Sequence, residues 1–417
     1  MDRTGGESPE RKWTFMVYLA GDNNLESYGA KDLLEMKHAG SSKEMAIVAQ
    51  YDRMSDQVTR RYSLTSGEDL QRDCVAELPE TNTGDPQTLL DFIIWATGTY
   101  PAQHYALVLW NHGSGWKDED IYQAAQRQGM EQNIPRGNLR GLSSGKTSRA
   151  LFRSTLDQMV IESDQRAILF DDSSADFLDN QEMGQLLQQA LAYTKQPIDL
   201  LGFDACLMNM LEVNFQVRDT CRVVVGSQEV EPGDGWPYDL ILGRLAAEPE
   251  MSAEAFGRTI VESYLDFYKM QHPSLAVTQS AVSTQHLVPL SQVVDNLAQA
   301  LLGSIQDKRT QMVVSWAQKF AQFFSDPEYY DLTHLCMVLA DEDRGGAVGR
   351  AAEAVIRTLN GADSPLLASG KNGAAVQDAY GLSIYLPGRN LSPLYERLDF
   401  AQQNSWNNFL HTYVSLH

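Results

Sequence analysis

Short apolar runs, each stopped by polar turn formers, recur along the first half of this chain: Thr14–Ala20, Met45–Tyr51, Tyr105–Trp110, Ala167–Phe170, Asp199–Phe203 and Arg222–Gly226. Runs this short, rich in Val, Ile, Leu and aromatics, read as strands buried on both faces. Helical patterns lie between them, over Leu25–His38, Pro86–Thr97, Gln181–Tyr193 and Leu207–Arg218. Asp85 stands as the N-cap of the second helix, with Pro86 at its first position. Strands alternating with helices in this way predict an α/β protein with a mostly parallel sheet flanked by helices.

Two stretches break the alternation. Lys117 to Arg166 is a polar, mixed insertion with Gly137, Gly141 and Gly145 through its middle. A segment that long inside a compact domain is normally functional or disordered. After about residue 245 the pattern turns mainly helical, over Ala253–Met270, Leu287–Asp307 and Arg309–Phe324, with one late strand at Gly381–Leu386. The chain therefore divides into an α/β domain over 12–245 and a mainly helical extension over 246–417 that returns a strand at 381–386.

Composition narrows the partners. With 33 Lys and Arg against 55 Asp and Glu among 417 residues, the formal charge is −22. Nucleic-acid affinity comes from neutralising phosphates with basic side chains, so no nucleic-acid partner is expected. An anionic membrane surface is disfavoured for the same reason, and no apolar run approaches the ~20 residues needed to span a bilayer. Basic peptides suit this field better. Cys74, Cys206, Cys221 and Cys336 are too few for a disulfide framework, and no pair has CxxC spacing. The apolar run at Trp13–Ala20 passes straight into a Gly-Asp-Asn-Asn turn, as a core strand does, and not into a signal cleavage site. The expected compartment is the cytoplasm.

Ligands of open α/β sheets bind beyond the carboxyl ends of the strands. The third strand ends in Asn111-His112-Gly113-Ser114-Gly115-Trp116 and the fifth in Asp204-Ala205-Cys206-Leu207-Met208-Asn209. If these strands are neighbours, His112 and Cys206 face each other across one crevice. A nearby imidazole or helix N-terminus favours the thiolate, the form in which cysteine is a nucleophile. A helix predicted to begin directly after Cys206 would supply the second of these. Gly113 lets backbone N–H groups approach a substrate oxygen, as an oxyanion hole requires. Taken singly, each of the two residues also reads as an ordinary core cysteine or a satisfied structural histidine.

These residues resemble the clostripain-type cysteine peptidases, a family of the caspase–haemoglobinase fold group. The resemblance takes in Trp13-Thr-Phe-Met-Val-Tyr-Leu-Ala-Gly-Asp-Asn-Asn-Leu25, Asn111–Trp116 and Asp204-Ala205-Cys206. It also takes in Gly226-Ser-Gln-Glu229, Pro232-Gly-Asp-Gly-Trp-Pro237 and Tyr380-Gly-Leu-Ser-Ile-Tyr-Leu-Pro387, so it spans roughly residues 12 to 390. It implies Cys206 as nucleophile, His112 as acid–base partner, and backbone N–H groups of Gly113 and Cys206 as oxyanion hole. By the same resemblance Asp204 and Asp234 line the pocket for the residue before the scissile bond, where two carboxylates would select Arg or Lys. Each also reads as a turn or capping carboxylate. Relatives are often cut between the histidine and cysteine segments. That implies self-cleavage within Arg136–Arg153, at Lys146 or Arg149.

Other residues carry weaker signals. Ser114 lacks the GxSxG frame, and HExxH and P-loop patterns are absent from the sequence. His334 reads as structural. The chemistry needs no cofactor, although relatives sometimes depend on Ca²⁺. Asp171, Asp172, Asp176 and Asp179 could hold that ion or form a solvated acidic loop. Two rivals to the peptidase stay open: a catalytically silent caspase-like scaffold, and a cysteine enzyme of other specificity or a transferase.

Overall fold

The computed structural model describes residues 11–115, 168–171, 173–174 and 176–416. A nine-stranded sheet organises the molecule. Its middle is parallel, in the order β9 (Cys221–Gly226), β8 (Ile198–Asp204), β5 (His104–Trp110), β1 (Trp13–Gly21) and β2 (Met45–Arg53). Antiparallel pairs widen it on both sides. β3 (Val58–Ser63) and β4 (Cys74–Pro79) continue beyond β2, while β10 (Val277–Ser283) and β12 (Leu366–Asn372) continue beyond β9.

Side chains alternate along each strand, so each face of the sheet needs its own cover. On β1, Phe15, Val17 and Leu19 pack into one core with α1 (Glu26–Ala39), α5 (Tyr238–Ala247) and α6 (Ala253–Gln271). Met16, Tyr18 and Ala20 pack into the other, with α2 (Pro86–Thr99) and α3 (Asn180–Thr194). The second core also takes in α7 (Leu287–Ser304), α8 (Lys308–Phe320), α9 (Leu332–Glu342) and α10 (Ala347–Leu359). Asp85 caps α2 by accepting from the Gln87 N–H, as its position before Pro86 predicts.

Three expectations need correction. The run Ala167–Phe170 does not join the central sheet. Among the described residues β6 (Ile168–Asp171) pairs only with β7 (Asp176–Leu178), in a two-stranded antiparallel ribbon with an irregular register. Its three apolar residues are followed at once by Asp171 and Asp172, and Leu169 has a left-handed φ of 60°. The helix after Cys206 begins later than predicted, as α4 (Leu211–Gln216). Before it, the Leu207 and Asn209 N–H groups bond to Glu229 and Ser227 carbonyls, which pulls residues 205–209 into a turn. The extension also contributes strands to the main sheet. β10 escaped notice because its Thr278, Gln279 and Ser280 are polar; they are buried here with hydrogen-bond partners in the Ser227–Glu231 loop and at Gly381. The late strand is β13 (Ser383–Tyr385), paired with β11 (Tyr329–Asp331) and bridged to Met210.

Candidate active site

β5 and β8 are hydrogen-bonded neighbours, with Trp110 opposite Asp204 at their carboxyl ends. The chain leaves the sheet beyond this pair on both strands, and the Asn111 N–H still reaches the Asp204 carbonyl at 3.4 Å. Two residues further along each strand stand His112 and Cys206. The loops that carry them are in close contact. A Cβ added to Gly113 would lie 2.7 Å from the Cys206 carbonyl oxygen and 2.9 Å from the Ala205 Cβ, so only glycine fits there. Gly115 has φ 77°, and a Cβ there would strike Met210 and Tyr329.

Buried polar groups hold the histidine loop. Asn111 donates to the Ala20 carbonyl at 2.9 Å, its side-chain oxygen accepts from the His112 N–H, and the Tyr329 hydroxyl donates to the Ser114 carbonyl at 2.7 Å. The imidazole Nε2 lies 3.0 Å from Oδ1 of Asn24, at the end of β1. With the amide oxygen turned to the ring, this contact is made by the tautomer that carries its proton on Nε2. Asn24 was not singled out from sequence; the signal was its place in the Gly-Asp-Asn-Asn turn.

The cysteine loop is as tightly held. Leu207 has a left-handed φ of 61°, an uncommon conformation for a non-glycine residue that makes the turn directly after the thiol sharp. Asn209 donates to Gly226 and Ser280 carbonyls and accepts from Asn214, while the Ser383 N–H donates to the Asn209 carbonyl. None of the four cysteines forms a disulfide. Burial pushes the Cys221 thiol up to about 12 and raises Cys336 further, so both are inert as nucleophiles. Ser114 contributes its carbonyl to the loop. His334 accepts from the Gln322 N–H at 3.0 Å, a structural role.

Asp204 is fully buried and accepts from the Tyr238 hydroxyl at 2.9 Å and the Trp236 N–H at 3.4 Å. Asp234, two residues before Trp236, is partly exposed. Its two oxygens meet Lys31 of α1 at 3.0 Å and His272 at 3.2 Å. Burial would raise the Asp234 carboxyl, but the Lys31 ammonium and His272 outweigh it and hold it below the usual carboxylate range. Of the four aspartates considered for Ca²⁺, Asp176 accepts from Asn82 and the Phe177 N–H, and Asp179 caps α3 in a box with Glu182. Asp171 stands opposite Asp176 in the β6–β7 ribbon and accepts from Thr83, and Asp172 lies outside the described residues. Lys146 and Arg149 also lie outside them.

A parallel core with antiparallel edges, helices on both faces, and a histidine and a cysteine at adjoining carboxyl ends defines a protein of the caspase-like class. The chain belongs to the clostripain family, peptidase family C11, whose model matches residues 17–133 and 156–413. Clostripain of Hathewaya histolytica is 30% identical over 270 residues, which cover 58% of this chain but 43% of that protein. The chain thus aligns with less than half the length of that curated relative.

Two solved structures share the fold at 18% identity, each match covering 96% of this chain and 99% of the other. One is a secreted C11 cysteine protease of Bacteroides thetaiotaomicron bound to an irreversible peptide inhibitor, with a TM-score of 0.63. The other is an inactive zymogen of a C11 protease from Parabacteroides distasonis, with a TM-score of 0.66. Among the described residues no helix is long and apolar enough to cross a membrane. The first of these relatives is a secreted protein, which gives the cytoplasmic expectation no support.

Proposed function

We propose that the protein is a cysteine endopeptidase that cuts peptide bonds after Arg or Lys, with Cys206 as nucleophile and His112 as acid–base group. The observation that carries this reading is the register of Trp110 with Asp204, from which His112 and Cys206 are equally displaced. In this reading the Cys206 thiolate attacks the scissile carbonyl carbon, and the oxygen becomes an oxyanion between the N–H groups of Gly113 and Cys206. His112 gives its proton to the leaving amine as the tetrahedral adduct collapses to a thioester. Water then attacks the thioester, His112 takes up the water's proton, and the thiolate departs.

Asp204 and Asp234 are assigned to recognition of the basic side chain. Support comes from their shared position around Trp236 and from the Lys31 ammonium already seated on Asp234, the kind of cation a substrate would bring. Self-cleavage within residues 117–166, at Lys146 or Arg149, is part of the same proposal. It is supported by topology, because β5 precedes the segment and its hydrogen-bonded neighbour β8 follows it. Both pieces would therefore stay in one sheet.

The test is hydrolysis of fluorogenic peptides with basic, acidic or neutral residues at the cleaved position, run beside Cys206→Ala and His112→Ala. Basic peptides should be cut, Cys206→Ala should be inactive, and His112→Ala should lose at least ~10²-fold, the usual scale of acid–base contributions. Near wild-type turnover by either variant, at matched circular dichroism, removes this dyad. No turnover, with Cys206 no more reactive toward iodoacetamide than Cys74, favours the scaffold.

A further inference from the structure

Four carboxylates from four separate segments, none of them a member of the dyad, converge in one place. Asp22 follows β1, Asp52 lies in β2, Glu80 follows β4, and Asp171 ends β6. One oxygen from each lies within 4.8 Å of all the others. Asp22 and Asp52 have no exposed surface, Asp171 is 1% exposed, and Glu80 is half-buried.

Hydrogen bonds hold the periphery of this cluster and leave its centre bare. Asp52 Oδ1 accepts from Thr59 Oγ1 at 2.7 Å and from the Arg53 N–H at 3.1 Å. Asp171 accepts from the Ser174 N–H at 2.7 Å and from Thr83 N–H and hydroxyl at 2.8 and 3.2 Å. Both oxygens of Asp22, both of Glu80 and Asp52 Oδ2 are buried and accept no hydrogen bond from outside the cluster among the described residues. Asp22 is thus a fully buried carboxylate that faces three others without a donor. Burying such groups unpaired is among the costliest arrangements in a protein, so each calls for a compensating partner. No Lys or Arg pairs with any of the four among the described residues.

We propose that Asp22, Asp52, Glu80 and Asp171 bind one hard divalent cation of the calcium class. The donors are all oxygens, with no His or Cys to favour zinc or copper. Oxygens this close can share one ion, since opposite ligands of Ca²⁺ lie about 4.6–5.2 Å apart. The ion would join the ends of β1 and β2 to Asp171, the segment that follows the 117–166 insertion. Asp22 is also two residues from Asn24, which touches His112. The site uses neither member of the dyad, so its test does not depend on peptidase activity.

Full-length Cys206→Ala protein, stripped with EGTA, is titrated with CaCl₂ and separately with MgCl₂ by calorimetry, and melted with and without each ion. We expect one saturable Ca²⁺ site, weaker Mg²⁺ binding, and a Tm that climbs with Ca²⁺ concentration. Asp22→Asn, Asp52→Asn and Glu80→Gln should each weaken Ca²⁺ binding by at least ~10-fold, the lower end of what even outer-shell changes cost. In EGTA the same variants should melt no lower than the parent, because each removes one of four repelling charges. Asp176→Asn should bind normally. Folded protein with neither calcium heat nor Tm shift would mean that the carboxyls share protons instead of an ion, and the proposal fails. It fails equally if the Asp22 and Glu80 variants bind as the parent does, or if Mg²⁺ binds more tightly than Ca²⁺.

Discussion

His112 Nε2 and Asn24 Oδ1 are 3.0 Å apart, joining the loop after β5 to the loop after β1 across two neighbouring strands. An exposed asparagine thereby helps to orient a buried imidazole. In the proposed mechanism that imidazole must deliver a proton, so the contact has a kinetic consequence.

Asn24→Ala should leave the fold intact and reduce kcat more than KM. One hydrogen bond is worth ~0.5–1.5 kcal/mol, which is up to about tenfold in rate. Asn24→Asp keeps the acceptor and adds a negative charge beside the ring, so the histidine limb of the pH–rate profile should move to higher pH. An unchanged profile in both variants would place Asn24 outside the mechanism.

Lys31 occupies Asp234, and in the proposed reading a basic substrate residue would share or displace it. Lys31→Ala should lower KM for Arg peptides and leave KM for neutral peptides unchanged. Asp234→Asn should do the reverse for basic substrates, because it removes the charge that would pair with their side chain. Asp204→Asn should also reduce selectivity, along with the hydrogen bonds from Tyr238 and Trp236. Equal effects on basic and neutral peptides would move these carboxylates out of the pocket.

Purified wild type should fragment with time while Cys206→Ala stays whole, and mass spectrometry should find the new terminus after a basic residue between Arg136 and Arg153. The two pieces should co-purify, because the sheet needs β5 and β8 together. A single chain with full peptidase activity rules out activation by this cut.

Glu212 gives a pH prediction. Burial raises its carboxyl to about 7, against a usual value near 4.5, despite hydrogen bonds from the Tyr385 N–H and Tyr395 hydroxyl. Between these values the folded state holds the proton more tightly than the unfolded state, so stability falls as pH rises from about 4.5 to 7. Glu212→Gln keeps the accepting oxygen and removes the titration. Its Tm should match wild type near pH 4 and exceed it above pH 7, by the equivalent of about 3 kcal/mol. A constant difference across that range would show that Glu212 does not titrate there.

Much of this architecture is written locally. The parallel strands β1, β2, β5, β8 and β9 are continuous apolar runs because both faces are covered. The His112 and Cys206 segments are legible because polar, glycine-bearing turns follow such runs. β10 was hidden for the opposite reason: its Thr278, Gln279 and Ser280 are satisfied by partners distant in sequence, which no local pattern reports. The helix predicted after Cys206 gave way to a turn because the 227–229 loop takes up its backbone donors.

The sequence by itself determined the two-sided parallel core, the residue types at its carboxyl edge and the family to which the chain belongs, since periodicity and local motifs are properties of neighbouring residues. Only the tertiary structure decided that Trp110 lies opposite Asp204, that Asn24 reaches His112, that Lys31 meets Asp234, and that Asp22, Asp52, Glu80 and Asp171 share one space. Those relations depend on strand order and register. Both are set by burial of two cores at once, which couples residues far apart in the chain.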